Sequence, residues 1–329
     1  MLVGLDVGYG YTKGATHGAQ TIFPSSAGSA TLPRFGVGNR SDNLYVKVDG
    51  KNYAIGDTAV RFSRFDARQE SRNWILSNEW LALVYGALVK LDARGPTVIV
   101  VGLPLSYFND KETVRERLLG KHEIEFYGNE SGTSYVEIQR VFVVPQPFGA
   151  LFKQVFLPTG RIREKYIDLL TGRVGIIDFG SNHTNLLEIN GGDAVESGST
   201  AINMGGWDLC RAVRDHLFDN APGAEFKDHE LARAIEVGTF ASFGEMIPLE
   251  PIVAPIRDDL INEICATATQ LWGDGSNLSA ILISGGLAPV AGEAVKSFFS
   301  RHKRVIVIDD AQMANARGFL AYGRFKLSS

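Results

Sequence analysis

The sequence predicts an α/β protein built from two related domains, each with a smaller subdomain inserted. Two observations support this class. Short apolar runs of strand type alternate with helical patterns along the whole chain of 329 residues. In addition, a motif near the N-terminus recurs about half a chain later, at the head of a second series of strands and helices. The length is sufficient for two domains of ordinary size.

The repeated motif reads Asp-x-Gly-x-x-x-Thr and follows a short apolar strand in both copies. The first copy lies in GLDVGYGYTKG, which starts at Gly4, and the second lies in IIDFGSNHTNL, which starts at Ile176. The matched pairs are Asp6 with Asp178, Gly8 with Gly180, and Thr12 with Thr184. One such motif is an ordinary hairpin turn, but two at matched positions indicate a shared function.

The residue types in these hairpins suit a bound triphosphate. A tight glycine-containing hairpin brings backbone N–H groups close to phosphate oxygens, and Lys13 adds a positive point charge. Additional donors could come from the hydroxyls of Thr12, Ser181 and Thr184. Asp6 and Asp178 repel phosphate directly, so we expect them to act through Mg²⁺ and its waters.

The first domain is predicted at residues 1–160, with a small β-rich subdomain at about 22–66. Leu44, Val46 and Val48 alternate before the turn sequence Asp49–Gly50, which is typical of a hairpin. The other elements predicted in this domain are a strand at Leu2–Val7, a helix at Trp74–Leu91, a strand at Thr97–Leu103, a helix at Lys111–Leu119, a strand at Val136–Val144 and a helix at Phe148–Phe156.

The second domain is predicted at residues 161–310, with a helical subdomain at about 207–275. The last helix, within 311–329, returns to complete the first domain. The elements predicted in this part are strands at Val174–Ile177 and Leu186–Ile189, helices at Leu209–Leu217, Glu230–Val237 and Asp258–Leu271, strands at Ala280–Ser284 and Val305–Ile308, and a helix at Ala311–Tyr322.

Composition excludes several classes of protein. The net charge of −4 gives no sign of a broad nucleic-acid surface, and no apolar run is long enough to cross a membrane. The two cysteines, Cys210 and Cys265, lie far apart, which argues against a zinc site or a disulfide framework and favours the cytoplasm. We therefore expect no direct nucleic-acid contact and no membrane contact.

Two other nucleotide-binding motifs do not fit. The P-loop pattern GxxxxGK[ST] does not occur in the sequence. The glycines of Gly8-x-Gly10-x-x-x-Gly14 have the wrong spacing for a dinucleotide fingerprint, and strand-like sequence follows them where that fingerprint needs a helix.

Five segments in order give the chain its resemblance to the actin-like ATPase superfamily. They are the first phosphate hairpin GLDVGYGYTK, the connecting helix VPQPFGA, the second phosphate hairpin IIDFGSNHTN, the adenosine loop ISGG and the second connecting helix ANARGF. Within the superfamily, FPS at Phe23, GLPLSYF at Gly102 and GGWDL at Gly205 look most like the ParM (StbA) group and its archaeal relatives.

The resemblance implies two actin-like (ribonuclease H-like) domains around a nucleotide cleft, with ATP or ADP and Mg²⁺ bound there. Asp6 and Asp178 would hold the metal through water. The implied phosphate-binding residues are Gly8, Tyr9, Gly10, Tyr11, Thr12, Lys13, Gly180, Ser181, Asn182 and Thr184. Gly285, Gly286 and Leu287 would pack on the adenosine, and Gly206 and Asp208 would lie near the ribose.

Gln146 is the expected residue for orienting the attacking water, beside Asp6 and Asp178 as catalytic residues. It stands between two prolines at the junction of a strand and a helix, and an amide can both donate to a water and accept from it. ParM-type proteins more often carry Glu here, whereas actin has Gln, so the resemblance leaves the rate of hydrolysis open.

The function expected from this resemblance is an ATPase that polymerises head to tail into filaments for plasmid or DNA segregation. A DNA-binding adaptor protein would provide the link to DNA. The charged run Arg61–Arg72 could be a solvated surface or a filament contact. The alternatives are a small-molecule kinase of the same superfamily, which would need a general base near its acceptor, and a nucleotide-gated switch that does not polymerise.

Overall fold

The computed structural model describes residues 1–32, 43–62, 72–128, 130–220, 228–242 and 245–328. The chain forms two compact units. The first consists of Met1–Ile167 with Gln312–Ser329, and the second consists of Asp168–Ala311. Most of the run at 61–72 and part of the predicted β-rich subdomain lie outside the described residues. Among the described helices, none combines the length and apolar character needed to cross a bilayer.

The strands described in the first unit form one sheet in the order β3-β2-β1-β7-β9-β8-β5-β6-β4. They are β1 (Leu2–Val7), β2 (Tyr11–Ala15), β3 (Gln20–Pro24), β4 (Ala27–Ser29), β5 (Leu44–Val48), β6 (Lys51–Ile55), β7 (Gly95–Leu103), β8 (Gly120–Gly128) and β9 (Gly132–Pro145). The strands of the predicted β-rich subdomain thus continue the main sheet, because β8 joins β5 to β9.

The helices described in the first unit pack on this sheet. They are α1 (Asp57–Phe62), α2 (Asn78–Lys90), α3 (Lys111–Leu118), α4 (Phe148–Val155) and α10 (Ala314–Ser328), with 3₁₀ turns at Arg72–Leu76, Leu105–Asp110 and Glu164–Tyr166. The predicted helix at Trp74–Leu91 is therefore divided. Ser77 separates the 3₁₀ turn from α2, because its Oγ accepts a hydrogen bond from the Trp80 N–H (3.1 Å) and caps the helix.

The second unit contains a five-stranded sheet in the order β12-β11-β10-β15-β16 and a separate hairpin. The sheet strands are β10 (Arg173–Phe179), β11 (Thr184–Asn190), β12 (Asp193–Ile202), β15 (Ala280–Gly285) and β16 (Val305–Val307), and the hairpin is β13 (Thr239–Ser242) with β14 (Glu245–Pro248). The helices are α5 (Asp168–Thr171), α6 (Gly206–Asn220), α7 (Asp228–Val237), α8 (Glu250–Trp272) and α9 (Ala288–Phe298).

The two units share one strand arrangement. In the first, β1 pairs antiparallel with β2 and parallel with β7, which in turn is parallel to β9. In the second, β10 pairs antiparallel with β11 and parallel with β15, which is parallel to β16. The repeated sequence motif therefore marks a repeated five-strand order, with each motif Asp at the carboxyl end of the first strand.

Helices α4 and α10 cross at very close range in the first unit. A Cβ placed on Gly318 would lie 1.9 Å from the Gly149 carbonyl oxygen, and a Cβ on Gly149 would lie 2.4 Å from the Asn315 Cα. Helix α10 also contacts β1, since a Cβ on Gly4 would lie 2.1 Å from the Ala316 oxygen. Glycines at these positions let the last helix pack on both elements.

Some elements were not predicted. These elements are β8, β12, the β13–β14 hairpin and α9, and α8 begins at Glu250, eight residues before the predicted start. Pro255 lies inside α8, and a proline within a helical pattern normally indicates a boundary. The burial of Val253, Leu260 and Ile261 against the core of the second unit stabilises the helix across the proline.

Cys265 provides a simple test of the core of the second unit. Its side chain is fully buried on α8, and burial raises the pKa of the thiol to about 12. Because only the thiolate reacts, we expect a Cys210→Ser variant to react with a disulfide reagent at pH 8 only as fast as the protein opens. One thiol per chain should appear after denaturation. Fast labelling of a protein with native circular dichroism would contradict this packing.

Candidate functional site

The Asp6 carboxylate lies at the centre of the first half of the site. Asp6 is next to the last residue of β1 and is fully buried. Lys13 is its cross-strand partner on β2, and the Lys13 Nζ donates to the Asp6 Oδ2 at 3.0 Å. The Gln146 Nε2 donates to the other carboxylate oxygen, Oδ1. A buried charge needs such partners, so the three side chains form one fixed group.

Gly8 lies over this group. Its N–H donates to the Tyr11 carbonyl oxygen (3.2 Å), which closes the turn between β1 and β2. A Cβ at this position would stand 3.6 Å from the Gln146 Nε2 and 3.9 Å from the Lys13 Nζ. A glycine here therefore keeps open the space above the amide and the ammonium group. Beyond the turn, the Gly10 carbonyl accepts from the Ser25 N–H (2.8 Å).

Gln146 is held between the end of β9 and the start of α4, as its two neighbouring prolines predicted. Its N–H donates to the Leu103 carbonyl oxygen at 2.8 Å. A Cβ on Gly102 would lie 3.2 Å from the Gln146 Cα, so the absence of a side chain at Gly102 lets Gln146 approach β7. Because the Nε2 is fixed on Asp6, the amide oxygen points away from the carboxylate.

Other predicted residues of the first hairpin have different surroundings. The Thr12 side chain is buried on the opposite side of β2 from Lys13, and its hydroxyl hydrogen-bonds the Ser25 hydroxyl at 2.8 Å. The Tyr9 ring stacks on Trp74 with a centroid distance of 4.9 Å. Tyr11 is half-buried at the start of β2. The structure does not bring the Thr12 hydroxyl to the Asp6 group.

Asp178 occupies the same position in the second half of the site but is held differently. It is 5% exposed and lies beside Ser284 in the parallel register of β10 and β15. The Ser284 Oγ donates to the Asp178 Oδ1 at 2.8 Å, and Ser284 is itself fully buried. Ser284 was missed by the sequence analysis. Its signal was a hydroxyl residue directly before the two glycines of ISGG.

The turn after Asp178 supports the start of α6. The Gly180 N–H donates to the His183 carbonyl oxygen (3.1 Å), which gives His183 a backbone role in closing the turn. The Gly206 N–H donates to the Gly180 oxygen (3.1 Å), and the Trp207 N–H donates to the Ser181 oxygen (2.7 Å). The first N–H groups of α6 are thus bonded to the turn itself.

Asp208 and Thr184 also serve this local structure. The Asp208 Oδ2 accepts a hydrogen bond from the Gly205 N–H (2.9 Å), which is the bond that the N3 side chain of a capping box makes to the N-cap residue. The same carboxylate forms an ion pair with Arg211 at 3.3 Å. The buried Thr184 hydroxyl donates to the Met204 carbonyl oxygen at 2.8 Å. Asn182 and Ser181 are half-buried in the turn.

The two glycines after β15 make the end of that strand unusually tight. Gly285 has φ of +91°, and a Cβ on it would lie 2.2 Å from the Phe179 carbonyl oxygen. The Gly286 N–H donates to the same oxygen at 3.0 Å, whereas a Cβ on Gly286 would meet nothing within 4 Å. Gly286 is therefore exposed on an open side, and Leu287 follows it as the N-cap residue of α9.

The carboxylates fit a magnesium ion held through water better than one held directly. Within the described residues, no group of three or more His, Cys, Asp or Glu side chains could hold a metal ion. Both oxygens of Asp6 already accept hydrogen bonds from Lys13 and Gln146, and Asp178 accepts one from Ser284. Magnesium keeps several of its waters in proteins, so a single carboxylate such as Asp6 or Asp178 can contact the ion through water.

Comparison with known proteins shows what this chain is similar to. Residues 4–149 match the family model described as actin-like proteins N-terminal domain. An archaeal actin homologue of Thermoplasma acidophilum is 25% identical, with 97% of each chain covered. Residues 4–149 thus carry the actin-like N-terminal domain, and over nearly its whole length the chain is similar to an archaeal actin homologue.

Solved structures show the same fold for this actin-like protein. An archaeal actin homologue in complex with ADP has a TM-score of 0.79 at 24% identity, with 98% of this chain and 99% of that chain covered. A 15-stranded ParM filament from Clostridium botulinum has a TM-score of 0.78 at 24% identity, with 98% of each chain covered. The predicted α/β class and the predicted superfamily are thus confirmed.

Replacing Ser284 tests how Asp178 is held. We expect Ser284→Ala to weaken magnesium-nucleotide binding about tenfold while the fold is kept, because the buried carboxylate loses a donor worth roughly 1.5–3 kcal/mol. Ser284→Thr keeps the hydroxyl and should restore most of the affinity. Binding of a fluorescent nucleotide at several magnesium concentrations provides the measurement. Equal affinities for the Ala variant and the native protein would show that the hydrogen bond is only structural.

Proposed function

We propose that this actin-like protein is an ATPase that binds ATP with magnesium through both half-sites and uses hydrolysis to control its self-association into filaments. The observation that carries the proposal is the repeated hairpin, which presents a buried carboxylate at the same strand position in each unit. The ADP complex of an archaeal actin homologue and the ParM filament support the two parts of the proposal.

In the proposed binding mode, the two turns bind the phosphates. The backbone N–H groups at 9–11 and 181–183 donate to phosphate oxygens, and the glycines of the turns allow the close approach. Lys13 stays beside Asp6 and places its remaining donors on the terminal phosphate. Gly286 offers an exposed surface without a side chain for the adenine, with Leu287 beside it. Asp208 acts near the ribose only indirectly, because it caps α6.

In the proposed hydrolysis step, water attacks the terminal phosphorus in line with the leaving oxygen. Gln146 orients this water, since its Nε2 is fixed on Asp6 and its amide oxygen can accept a hydrogen bond from the water. The proton of the water passes to an oxygen of the released phosphate. Asp178 would hold magnesium through water, and Ser284 fixes the carboxylate for this role. Bound magnesium would neutralise the charge that develops on the phosphate oxygens. Lys13 contributes a further positive charge.

The cellular role that we propose is segregation of a plasmid or another DNA in the cytoplasm. Filament growth with ATP and release after hydrolysis would move cargo, and a DNA-binding adaptor would connect the filament to DNA. A head-to-tail contact between different surfaces of identical subunits gives an open filament.

One experiment tests both parts of the proposal in the same sample. Light scattering and phosphate release are followed together after ATP and magnesium are added to the purified protein. We expect scattering to rise and then to fall as phosphate appears. Phosphate release with flat scattering at every protein concentration would identify a switch that does not polymerise, or a kinase without its acceptor. If neither a rise in scattering nor phosphate release were observed, both nucleotide hydrolysis and assembly would be ruled out.

A further inference from the structure

The two units carry opposite charges that the whole-chain value conceals. Residues 1–167 and 312–329 contain 23 Lys and Arg against 16 Asp and Glu, which gives the first unit a net charge of +7. Residues 168–311 contain 10 Lys and Arg against 21 Asp and Glu, a net charge of −11. The whole-chain charge of −4 is the sum of two large and opposite values. Fields of this size steer association between molecules.

The positive charge of the first unit is dense where the chain after α4 packs against α10. Residues 145–167 and 312–328 contain seven Lys and Arg but one carboxylate, Glu164. Arg317 donates to the Gln20 side chain. The other six cations are here named the basic surface: Lys153, Arg161, Arg163, Lys165, Arg324 and Lys326.

Contacts within the first unit fix this surface. The Arg324 Nη1 donates to the Pro158 carbonyl oxygen (2.6 Å), and the Arg163 Nε donates to the Phe156 carbonyl oxygen (3.3 Å). The Phe156 and Phe325 rings stack at 4.9 Å, which ties the segment after α4 to α10. Two guanidinium groups are therefore held in place, and an arginine with one N–H occupied keeps four more donors for a carboxylate partner.

Apolar side chains are exposed among these cations. Leu157, Ile167 and Leu327 are 36%, 53% and 45% exposed. Exposed apolar groups interspersed with arginines are typical of surfaces that bind proteins. Phosphate backbones offer nothing for these apolar groups to pack against, so the composition favours a protein partner over a nucleic acid.

The second unit carries a surface of complementary character. A groove of about 400 Å³ lies between the end of α7 and the β13–β14 hairpin, with Glu230, Val237 and Met246 in its lining. Val237 and Met246 are 66% and 64% exposed, and the exposed Glu245 directly precedes Met246. The name acidic groove is used here for this groove, with Glu230, Val237 and Met246 in its lining, together with the exposed Glu236 and Glu245, which directly precede Val237 and Met246 in the chain. Arg233 is the basic residue in its lining.

We propose that the basic surface of one copy docks on the acidic groove of a second copy of this chain. Both the basic surface and the acidic groove contain exposed apolar residues, and their charged residues have opposite signs, so the two surfaces are complementary. The two surfaces differ, so the contact is heterologous and can repeat without closing. The inference rests on the self-association in the proposed function and names the surfaces that associate.

A second copy also fits the charge distribution better than a polyanion. A second copy brings a unit of net charge −11 to the positive unit of the first copy, and the same attraction is repeated at each further copy. A nucleic acid that approached the basic surface would be repelled by the acidic unit of the same protein. The net charge of the whole protein, −4, would also repel it. Binding to duplex DNA in the absence of assembly would overturn the choice of partner.

Charge reversal of each surface tests the contact. The basic-surface variant carries Arg161→Glu, Lys165→Glu and Lys326→Glu. The groove variant carries Glu230→Lys, Glu236→Lys and Glu245→Lys. A control with the same change of charge elsewhere on the first unit carries Lys51→Glu, Lys121→Glu and Arg140→Glu. These control residues are exposed. Assembly with ATP and magnesium is measured by sedimentation at about 50 mM salt, where exposed charges are weakly screened.

Each reversed variant should raise the protein concentration needed for assembly about tenfold or more, whereas the control should assemble as the native protein does. An equimolar mixture of the two variants should assemble again, since the reversed basic surface of one copy then faces the reversed groove of the other. Raising the salt concentration should dissolve native assemblies.

The outcomes separate this inference from the proposed function. Native assembly together with unchanged assembly of both variants would overturn the docking surfaces and leave the proposed function standing. Loss of assembly in both variants without recovery in the mixture would also overturn the pairing of these two surfaces. Absence of assembly in the native protein at every salt concentration would overturn the self-association on which the inference rests, whereas fluorescent-nucleotide binding reports separately on the nucleotide site.

Discussion

Asp178→Asn should reduce phosphate release by a factor of about 100 or more while the protein stays folded. The substitution keeps the shape of the side chain, and the Ser284 hydroxyl can donate to the new amide oxygen as it does to the carboxylate at 2.8 Å. What is lost is the negative charge that holds a water of the metal shell. Removal of one preorganised group at a developing charge typically costs 10²–10³-fold in rate.

The measurement is steady-state phosphate release at saturating ATP and magnesium, with nucleotide affinity determined in parallel. Asp193→Asn is the matched control, because it removes one carboxylate from an exposed position in the same unit. We expect the control to keep the native rate. Native turnover in Asp178→Asn would remove Asp178 from the mechanism, whatever the control shows.

Gly318→Ala should lower the free energy of unfolding by about 2–4 kcal/mol, because overpacking without room for relaxation costs at least 1–3 kcal/mol. The new Cβ would lie 1.9 Å from the Gly149 carbonyl oxygen and 2.9 Å from the Lys153 backbone nitrogen. Both are backbone atoms, so α4 and α10 must separate. Alanine is otherwise the better helix former by about 1 kcal/mol, which makes a loss of stability informative.

Urea denaturation followed by circular dichroism gives this free energy. Gly18→Ala is the control, since a Cβ there would meet nothing within 4 Å, and it should change stability by only a few tenths of a kcal/mol. A Gly318→Ala protein as stable as the native one would mean that the two helices cross at a greater distance.

The sequence predicted the parts of the site that depend on chain order. Asp6 and Asp178 are recognisable because each follows a short apolar strand, and Gln146 because prolines enclose it at a strand–helix junction. These signals are local, and the structure places each residue at the expected strand end or junction. Membership in the superfamily followed from the order of five such segments.

The directions of side chains and the register between distant strands could not be predicted from the sequence. Thr12 and Lys13 are neighbours in the chain, yet alternation along β2 puts the Thr12 hydroxyl on Ser25 and the Lys13 ammonium on Asp6. Ser284 could be linked to Asp178 only through the parallel register of two strands about a hundred residues apart. Such pairings depend on tertiary structure and leave no local pattern.

The distribution of charge between the two units was also not predicted. Net charge was taken over the whole chain and suggested a mildly acidic molecule. The C-terminal segment with Arg317, Arg324 and Lys326 belongs to the first unit and raises the net charge of that unit from +4 to +7. The contrast between the two units is visible only when the charge is counted for each unit separately.

The return of α10 to the first unit has a consequence for synthesis on the ribosome. Strand β1 is made well before its partner helix, because Ala316 and Leu320, which pack against Gly4 of this strand, are added about 310 residues later. At 5–20 residues per second, β1 waits roughly 15–60 s for this partner. The second unit is continuous in the chain and can be complete before the first. The N-terminal sheet is therefore the part of a nascent chain that needs protection longest.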